Sequence, residues 1–405
     1  MNFSEYNTKR KIKPDNKYFF IKILLFCVLL FVLLRTRVKN KLLWQIIIIL
    51  IGISLIIHIL HYYLKLHRGG LSEGLSNIKD NPYISQFPYL SVLEKDATTR
   101  IFPFRYFQDK DSNILPFVAV TGFFRGETEK QKYYEYLKNG IKIFGITAYK
   151  SFPKKILDKT EGEYETNDTF DFPKEIKNWL CCFNSPVDYG FTQNNNLIDI
   201  SESDSYDIDT SPAVEKKYDF IYVCLKDSDK CPLNGWNAVN RNFKLAQSCL
   251  PVLINEFNLK GLIVGRIGCG LEELYGDKVE VTDFLEFGKL QEKMRQSKFL
   301  FLPNTYDASP RVIGECITKG LPVLMNKRIL CGSKYITYDT GEFFNDEHDI
   351  RNSLNSLLGK MDKISPKNWW RNNYGTDATE RKIRDFLNNN FPNILTNVTN
   401  IKFIL

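Results

Sequence analysis

Apolar and polar positions follow their most regular order after residue 216, where short apolar runs alternate with stretches of helical period. Runs that are apolar on both faces are typical of buried parallel strands. Four such strands are predicted, over 220–225, 261–264, 299–302 and 322–325. Between them, helices are predicted over 236–257, 287–296 and 310–319. This alternation with short connections predicts a doubly wound parallel α/β sheet, and we expect that domain to occupy residues 213–390.

A weaker form of the same pattern precedes it, in residues 116–212. The expected elements are a strand at 117–120, a helix at 127–138 and a strand at 141–146, followed by acidic, loop-like segments. We therefore expect a truncated or irregular α/β domain here. The polar residues 71–115 are interpreted as a connector, and residues 391–405 as a C-terminal tail.

Two longer apolar runs, 19–34 and 42–64, lie within residues 1–70. The second has 23 residues without Lys, Arg, Asp or Glu, which is enough for a helix to cross a bilayer. We expect a membrane anchor. One spanning segment, two spanning segments and a hairpin within one leaflet are alternatives, and a buried helical hairpin is the less favoured interpretation.

The distribution of charge fits that anchor and excludes a nucleic-acid partner. The net charge is +8, but residues 1–70 alone hold twelve Lys or Arg and two acidic residues, so the body of the protein is nearly neutral. The eight cysteines beyond residue 70 contain no CxxC pair. Reduced thiols and a body facing the cytosol are therefore favoured over a lumenal body.

The segment 301–324 carries the most informative chemistry. Its loop follows a predicted strand, and Ser309 and Pro310 are typical of an N-cap and a first helical residue. The free N–H groups at the start of this helix would then face an anion such as a diphosphate, and Arg311 could add a bidentate contact. Glu315 lies at the edge of the apolar helix face, where it could accept hydrogen bonds from ribose hydroxyls. An ordinary helix start with a solvated Glu315 is the alternative.

These residues resemble a known family. The spacing of Asp307 and Glu315, followed by Gly-Leu-Pro-Val-Leu, is similar to the E-x7-E signature of the family 4-like (group 1) glycosyltransferases, which have the GT-B fold. The segment Pro-Asn-x-x-Asp-Ala-Ser-Pro-Arg resembles a branch of putative glycosyltransferases of large DNA viruses and microalgae. The resemblance covers residues 117–390 and implies two Rossmann-type domains facing a cleft, here preceded by N-terminal membrane helices.

The resemblance also implies roles for individual residues. Glu315 would hold the ribose of a nucleoside-diphosphate-sugar donor, and Asp307, where the wider family has Glu, would lie beside the donor sugar. Backbone N–H groups within the segment Ser309 to Val312 would hold the diphosphate. Cations that neutralise the leaving diphosphate would come from a small set: Lys226, Arg241 or Lys244, and Arg266. Sugar transfer with retention, without a metal or other cofactor, onto a glycan, lipid or protein acceptor is expected.

A general base is expected to be a carboxylate, because the only histidine beyond residue 70 is His348. Glu202 and Asp204 are the candidates, and a solvated acidic loop is the competing interpretation. Two other interpretations of the chain stay open. One is a metal-dependent transferase that uses a D-x-D triplet, either Asp207 and Asp209 or Asp227 and Asp229. The other is a non-catalytic, membrane-tethered protein that binds glycans or nucleotides.

Overall fold

The computed structural model describes residues 81, 83–109, 111–147, 149–154, 170–392, 394 and 401–404. The chain divides into two compact units, residues 1–82 and 83–405, and the second contains every element below. The predicted membrane segments 19–34 and 42–64 lie outside the described residues. Within the described residues, no helix has the length and apolar character needed to cross a bilayer.

The first half of the second unit is built on a six-stranded sheet. Its first five strands are β1 (Phe104–Asp109), β2 (Ile114–Val120), β3 (Lys142–Ile146), β4 (Asn178–Cys181) and β5 (Asn196–Asp199). β2 to β5 are parallel neighbours, whereas β1 runs antiparallel to β2. Every residue of β2 is buried, as expected for a central strand covered on both faces.

Three helices accompany this sheet: α1 (Leu90–Thr99), α2 (Glu127–Lys138) and α3 (Phe172–Glu175). The predicted helix 127–138 is confirmed at both ends. Glu127 and Glu129 lie in its first turn and Lys138 in its last, which complements the helix dipole. The helix buries Tyr133 and Tyr136.

The interpretation of 71–115 as a connector is wrong for residues 90–115. Leu90 and Leu93 of α1 are fully buried, and β1 together with the first residues of β2 belongs to the sheet. The sequence did not predict β1 as a strand because its apolar and polar positions do not alternate regularly. Its side chains are buried or half-buried without a strict period of two.

The second half contains a six-stranded sheet in which all strands are parallel. They are β6 (Tyr218–Val223), β7 (Gly261–Val264), β8 (Val279–Thr282), β9 (Ser297–Leu302), β10 (Val323–Asn326) and β11 (Gly341–Phe344). Their spatial order is β8-β7-β6-β9-β10-β11. In order of appearance this is 3-2-1-4-5-6, the doubly wound arrangement, and its switch point lies between β6 and β9.

The helices of this half are α4 (Trp236–Asn240), α5 (Phe243–Pro251), α6 (Leu271–Tyr275), α7 (Phe287–Arg295), α8 (Arg311–Ile317), α9 (Ile350–Lys360) and α10 (Pro366–Asn373). The single helix predicted over 236–257 is divided at Asn242, which has φ +48° and whose side chain accepts a hydrogen bond from the Leu245 amide. The Asn242 cap therefore starts α5 as a new helix and leaves Arg241 at the end of α4.

The last elements return to the first half. α11 (Thr376–Asn390) buries Ile383, Phe386 and Leu387 in a core shared with Phe117 of β2. β12 (Ile401–Ile404) pairs antiparallel with β1. α11 and β12 therefore complete the first half, although the sequence pattern assigned α11 to the second domain and β12 to a tail.

One pair of cysteines departs from the expected reduced state. Cys231 and Cys269 form a disulfide with a Cα–Cα distance of 5.7 Å. The loops that carry them follow β6 and β7, and Gly265 lets these loops meet, because a Cβ on it would lie 2.7 Å from the Leu225 Cα. The disulfide thus joins two loops at the carboxyl edge of the sheet, a spatial relation that the spacing of the cysteines does not reveal.

Candidate active site

The loops after β6 and β9 form the centre of the candidate site. They leave the carboxyl ends of the two strands that flank the switch point, which is where doubly wound sheets bind ligands. The loop after β9 contains Asn304, Asp307 and Ser309. The segment after β6 leads through α4 to Arg241.

Asp307 and Arg241, two of the predicted site residues, are in direct contact. Arg241 Nη1 donates to Asp307 Oδ2 at 2.5 Å, and the same oxygen accepts a hydrogen bond from Asn304 Nδ2 at 2.9 Å. The other oxygen of Asp307 accepts from the Ser309 amide at 3.3 Å. Asp307 is thus a buried carboxylate whose charge is balanced by a guanidinium on the neighbouring loop.

Glu315 is buried on α8 rather than solvated. Its carboxylate accepts hydrogen bonds from Tyr206 Oη at 3.1 Å and from Gln291 Nε2 at 3.2 Å. Burial and the Glu315 charge both raise the pKa of Tyr206, so the phenol stays protonated and remains a donor. The two contacts fix the position of the Glu315 side chain and leave further lone pairs on each oxygen for a ligand.

The helix that carries Glu315 begins one residue later than predicted. Pro310 occupies the N-cap position and Arg311 is the first helical residue. The hydroxyl of Ser309, the predicted N-cap, is buried and has no hydrogen-bond partner in the described part of the chain. The proline ring at the N-cap cannot accept a hydrogen bond, so the first turn of α8, including Arg311 and Val312, has no side-chain cap.

Glu202, the first carboxylate proposed as a base, faces this turn from the first half. It lies in a 3₁₀ helix, Glu202–Ser205, that follows β5, and its Oε2 is 3.7 Å from Arg311 Nε. Burial raises the pKa of the Glu202 carboxyl above its ordinary value, the charge of Asp307 adds to this, and Arg311 opposes it. The two halves of the unit therefore meet with Glu202 beside the Asp307 loop.

Asp204, the second proposed base, has a different position. Its carboxylate accepts hydrogen bonds from Lys334 Nζ at 2.9 Å and from Tyr335 Oη. It also accepts from the Ser201 amide and so completes a capping box. These contacts bind the first half to the second and favour a structural role for Asp204.

The expected cations occupy three different settings. Lys226 is on the surface, 2.9 Å from Asp229, and this hydrogen bond raises its pKa. Arg266 is fully buried, where its Nε and Nη2 contact Cys224 Sγ and its guanidinium lies 4.0 Å from the Phe243 ring centroid. Lys244 is an exposed residue of α5. Only Arg241 contacts Asp307 directly.

Comparisons with known proteins give structural similarity but no family. No protein family matches the sequence, and no curated protein matches it. The structure is similar to the lipopolysaccharide outer core galactosyltransferase WaaB, with a TM-score of 0.47 and 12% identity over 67% of this chain and 75% of that one. It is similar to the sucrose-phosphate synthase of Thermosynechococcus elongatus, with a TM-score of 0.46 and 11% identity over 77% and 80%. For TarM the values are 0.43 and 12%, over 67% of this chain and 54% of TarM. At this level the similarity carries no information about substrate.

The acidic triplets are already used by protein contacts. Asp227 accepts the amides of Asn237 and Ala238, and Asp207 accepts from Thr376. Burial opposes ionisation of Asp209, yet hydrogen bonds from Ser211 and Arg295 lower its pKa to about 2. Within the described residues, no three His, Cys, Asp or Glu side chains are grouped in a way that could hold a metal ion.

Several residues at this site escaped the sequence analysis. Lys150, in the loop after β3, is buried and its Nζ donates to Asn240 Oδ1 at 3.2 Å. It also lies 5.3 Å from the Tyr306 ring centroid. Asn304 was within the quoted motif and could have been found there, whereas nothing in the sequence around Lys150 or Tyr206 indicates a site.

Proposed function

We propose that the protein is a glycosyltransferase that moves a sugar from a nucleoside-diphosphate-sugar donor to a glycan, lipid or protein acceptor. We infer retention at the anomeric carbon, no requirement for a metal, and attachment to a membrane through residues 1–70. The body faces the cytosol in this proposal, although the Cys231–Cys269 disulfide is of a kind that is rare in the cytosol. Donor chemistry is assigned to the second half and acceptor binding to the first.

One observation carries the proposal. At the switch point of a 3-2-1-4-5-6 sheet, both carboxylates of the D-x7-E pattern are held by fixed partners, Asp307 by Arg241 and Glu315 by Tyr206 and Gln291. Ligands of such sheets lie at this point, where loops and the N-terminus of a helix converge. A buried, oriented carboxylate suits the recognition of vicinal ribose hydroxyls, because both of its oxygens can accept.

Hydrogen-bond donors and positively charged side chains near the start of α8 and at the carboxyl edge of the sheet are suited to bind the leaving diphosphate. The Ser309 hydroxyl is buried without a partner beside the start of α8, and Arg311 lies in its first turn. Arg266 Nη1 also lacks a hydrogen-bond partner within the described residues. In the proposed reaction these groups and Lys226 stabilise the negative charge that develops as the nucleoside diphosphate leaves.

In this proposal Glu202 accepts the proton of the acceptor hydroxyl. Its raised pKa makes it a better proton acceptor than an ordinary surface carboxylate, and it faces the Asp307 loop from the first half. An acceptor hydroxyl that enters between the halves would attack the anomeric carbon from the face that the nucleoside diphosphate leaves, as retention requires. The bond from the sugar to the diphosphate breaks as the new bond forms, and the hydroxyl proton passes to Glu202, which lies beside Arg311.

The test is a donor screen with the full-length protein in detergent. Release of nucleoside diphosphate is measured across UDP- and GDP-sugars, with and without a chelator, for the wild type, Glu315→Gln and the exposed control Glu273→Gln. We expect chelator-resistant release that is lost only in Glu315→Gln. Tight binding of nucleotide sugars without release would favour the non-catalytic alternative. Loss of release with chelator would contradict the metal-independent mechanism.

A further inference from the structure

Two buried asparagines flank the Arg241–Asp307 pair, and each has one amide atom without a partner. Asn240 precedes Arg241 and is 2% exposed, and Asn304 contacts Asp307 and is 1% exposed. Neither Asn240 Nδ2 nor Asn304 Oδ1 has a hydrogen-bond partner in the described part of the protein. Buried polar atoms are nearly always hydrogen-bonded, so two such atoms at one site indicate a ligand.

Charged neighbours determine which amide atom is left over. The Lys150 ammonium can only donate, so it orients Asn240 with Oδ1 toward Lys150 and leaves the N–H₂ group unpaired. The Asp307 carboxylate can only accept, so it orients Asn304 with Nδ2 toward Asp307 and leaves the carbonyl unpaired. Rotating either amide by a half turn would place like groups together, so both orientations are fixed by the site.

We propose that Asn240 and Asn304 form a subsite for the hydroxyl groups of the donor sugar, and that Lys150 is its positioning residue. This inference rests on the proposed function. The subsite offers one hydrogen-bond donor and one acceptor, and a sugar hydroxyl can serve as the partner of either. A sugar that lacks the matching hydroxyl leaves a buried amide atom unpaired and is rejected.

Lys150 brings the first half into this recognition. It follows β3 of the first sheet, whereas Asn240, Tyr306 and Asn304 belong to the second half. Lys150 acts on the sugar through the orientation of Asn240. Recognition of the sugar therefore depends on the contact between the two halves.

The first test separates the sugar from the nucleotide. Asn240→Asp keeps an oxygen for Lys150 and replaces the unpaired N–H₂ group with a second oxygen. We expect affinity for the nucleotide sugar that gives turnover to fall about 10- to 100-fold, the effect of one unpaired buried group. Affinity for the nucleoside diphosphate alone should not change. Asn240→Ala serves as a second variant with the same expectation, and exposed Asn194→Asp controls for the added charge.

The second test concerns the orientation that Lys150 imposes. Lys150→Arg retains a donor for Asn240 and should keep the wild-type ratio of affinities for nucleotide sugar and nucleoside diphosphate. Lys150→Glu accepts from Asn240 Nδ2, which turns the amide and should lower that ratio about 10-fold or more. A deoxy analogue of the donor sugar should lose affinity in the wild type and lose nothing further in Asn240→Asp.

The outcomes separate the two proposals. If no nucleotide sugar binds the wild type, the proposed function fails and this inference fails with it. If nucleotide sugars bind and Asn240→Asp reduces the affinity of the nucleoside diphosphate equally, the subsite does not contact the sugar and this inference alone is overturned. Equal ratios for Lys150→Arg and Lys150→Glu overturn the positioning role of Lys150.

Discussion

Arg241 and Asp307 are 66 positions apart in the chain, and their side chains meet at 2.5 Å between Nη1 and Oδ2. Arg241 ends a short helix after β6, and Asp307 lies in the loop after β9, so the pair bridges the switch point of the sheet. The pair holds the Asp307 carboxylate in place, although this side chain is one methylene shorter than the Glu of the E-x7-E pattern that it resembles. The contact therefore fixes both loops before any ligand arrives.

Removing one partner of this pair should destabilise the protein. The Asp307 side chain is 10% exposed, and in Arg241→Met it loses its guanidinium partner. We expect the free energy of unfolding to fall by about 2 kcal/mol, since Arg241 itself is partly solvated. Denaturant unfolding measures this. Combining Arg241→Met with Asp307→Asn should recover part of the loss, and strictly additive effects would contradict the coupling.

Tyr206 should support nucleotide binding through Glu315. Tyr206→Phe keeps the ring and removes the hydrogen bond of 3.1 Å to Glu315 Oε1. We expect the affinity of Tyr206→Phe for the nucleoside diphosphate to fall about fivefold, the effect of about 1 kcal/mol. The affinity of Glu315→Gln should fall further. Calorimetric titration measures both. An unchanged affinity in Tyr206→Phe together with a lowered one in Glu315→Gln would show that Tyr206 does not position the carboxylate.

Glu202 should make the reaction rate fall at low pH, and the midpoint of this acid limb should lie above the usual pKa range of a carboxyl group. Burial raises its pKa, so the base form is lost as the pH falls through that raised value. We expect Glu202→Gln to lower kcat about 100-fold or more and to abolish this limb, as for a general base. A pH–rate profile of both proteins measures it. The same limb in Glu202→Gln would assign the titration to another group.

The same shift predicts the effect of Glu202 on stability. Because its pKa is higher in the folded state, the charged carboxylate opposes folding once the pH rises above the raised pKa, and this effect vanishes at acidic pH. We therefore expect Glu202→Gln to be more stable than the wild type at neutral pH and equally stable at acidic pH. Thermal unfolding at the two pH values tests the sign.

Asp204, unlike Glu202, should stabilise the folded protein and take no part in proton transfer. Its partners Lys334 and Tyr335 lie in the second half, and the carboxylate raises the pKa of Lys334 although burial opposes that charge. We expect Asp204→Asn to lower the free energy of unfolding by about 3 kcal/mol and to leave the shape of the pH–rate profile unchanged. A lost acid limb in Asp204→Asn would instead make it the base.

The disulfide should add stability by restricting the unfolded chain. Cys231 and Cys269 are 38 residues apart, and closing a loop of this size is worth about 4 kcal/mol. Reductant should therefore lower the wild-type unfolding temperature. It should have no effect on the double variant Cys231→Ser/Cys269→Ser, whose value should match the reduced wild type. Equal unfolding with and without reductant in the wild type would contradict this.

How far the sequence predicts this structure depends on the kind of pattern. β7 matches its predicted bounds because Gly261–Val264 is a continuous buried run, and the bounds of α2 match for the reasons given above. β8 and β11 were missed because half or more of their residues are only half-buried, which weakens the apolar signal. The helix 236–257 was drawn as one element because a single Asn in the left-handed region has no periodic signature.

For the candidate site as well, the sequence predicts residues within one local motif but not contacts between distant segments. The sequence analysis singled out Asp307, Glu315 and Arg311 because they share one motif. The contact of Arg241 with Asp307 is consistent with the loops that the fold class places together. The contacts of Glu202 with Arg311 and of Lys150 with Asn240 join separate halves. Such contacts depend on how the halves pack, which local pattern does not encode.

The return of α11 and β12 to the first sheet has a consequence for biosynthesis. Ile383, Phe386 and Leu387 share a buried core with Phe117 of β2, and β12 pairs with β1 at the edge of the sheet. Chains generally fold from the N-terminus as they leave the ribosome. Here the second half has all six strands of its sheet once residue 344 has emerged, whereas the first half is incomplete until α11 and β12 have been synthesised. The half that is synthesised first is therefore the last to mature, and until then its uncovered sheet is a target for chaperones.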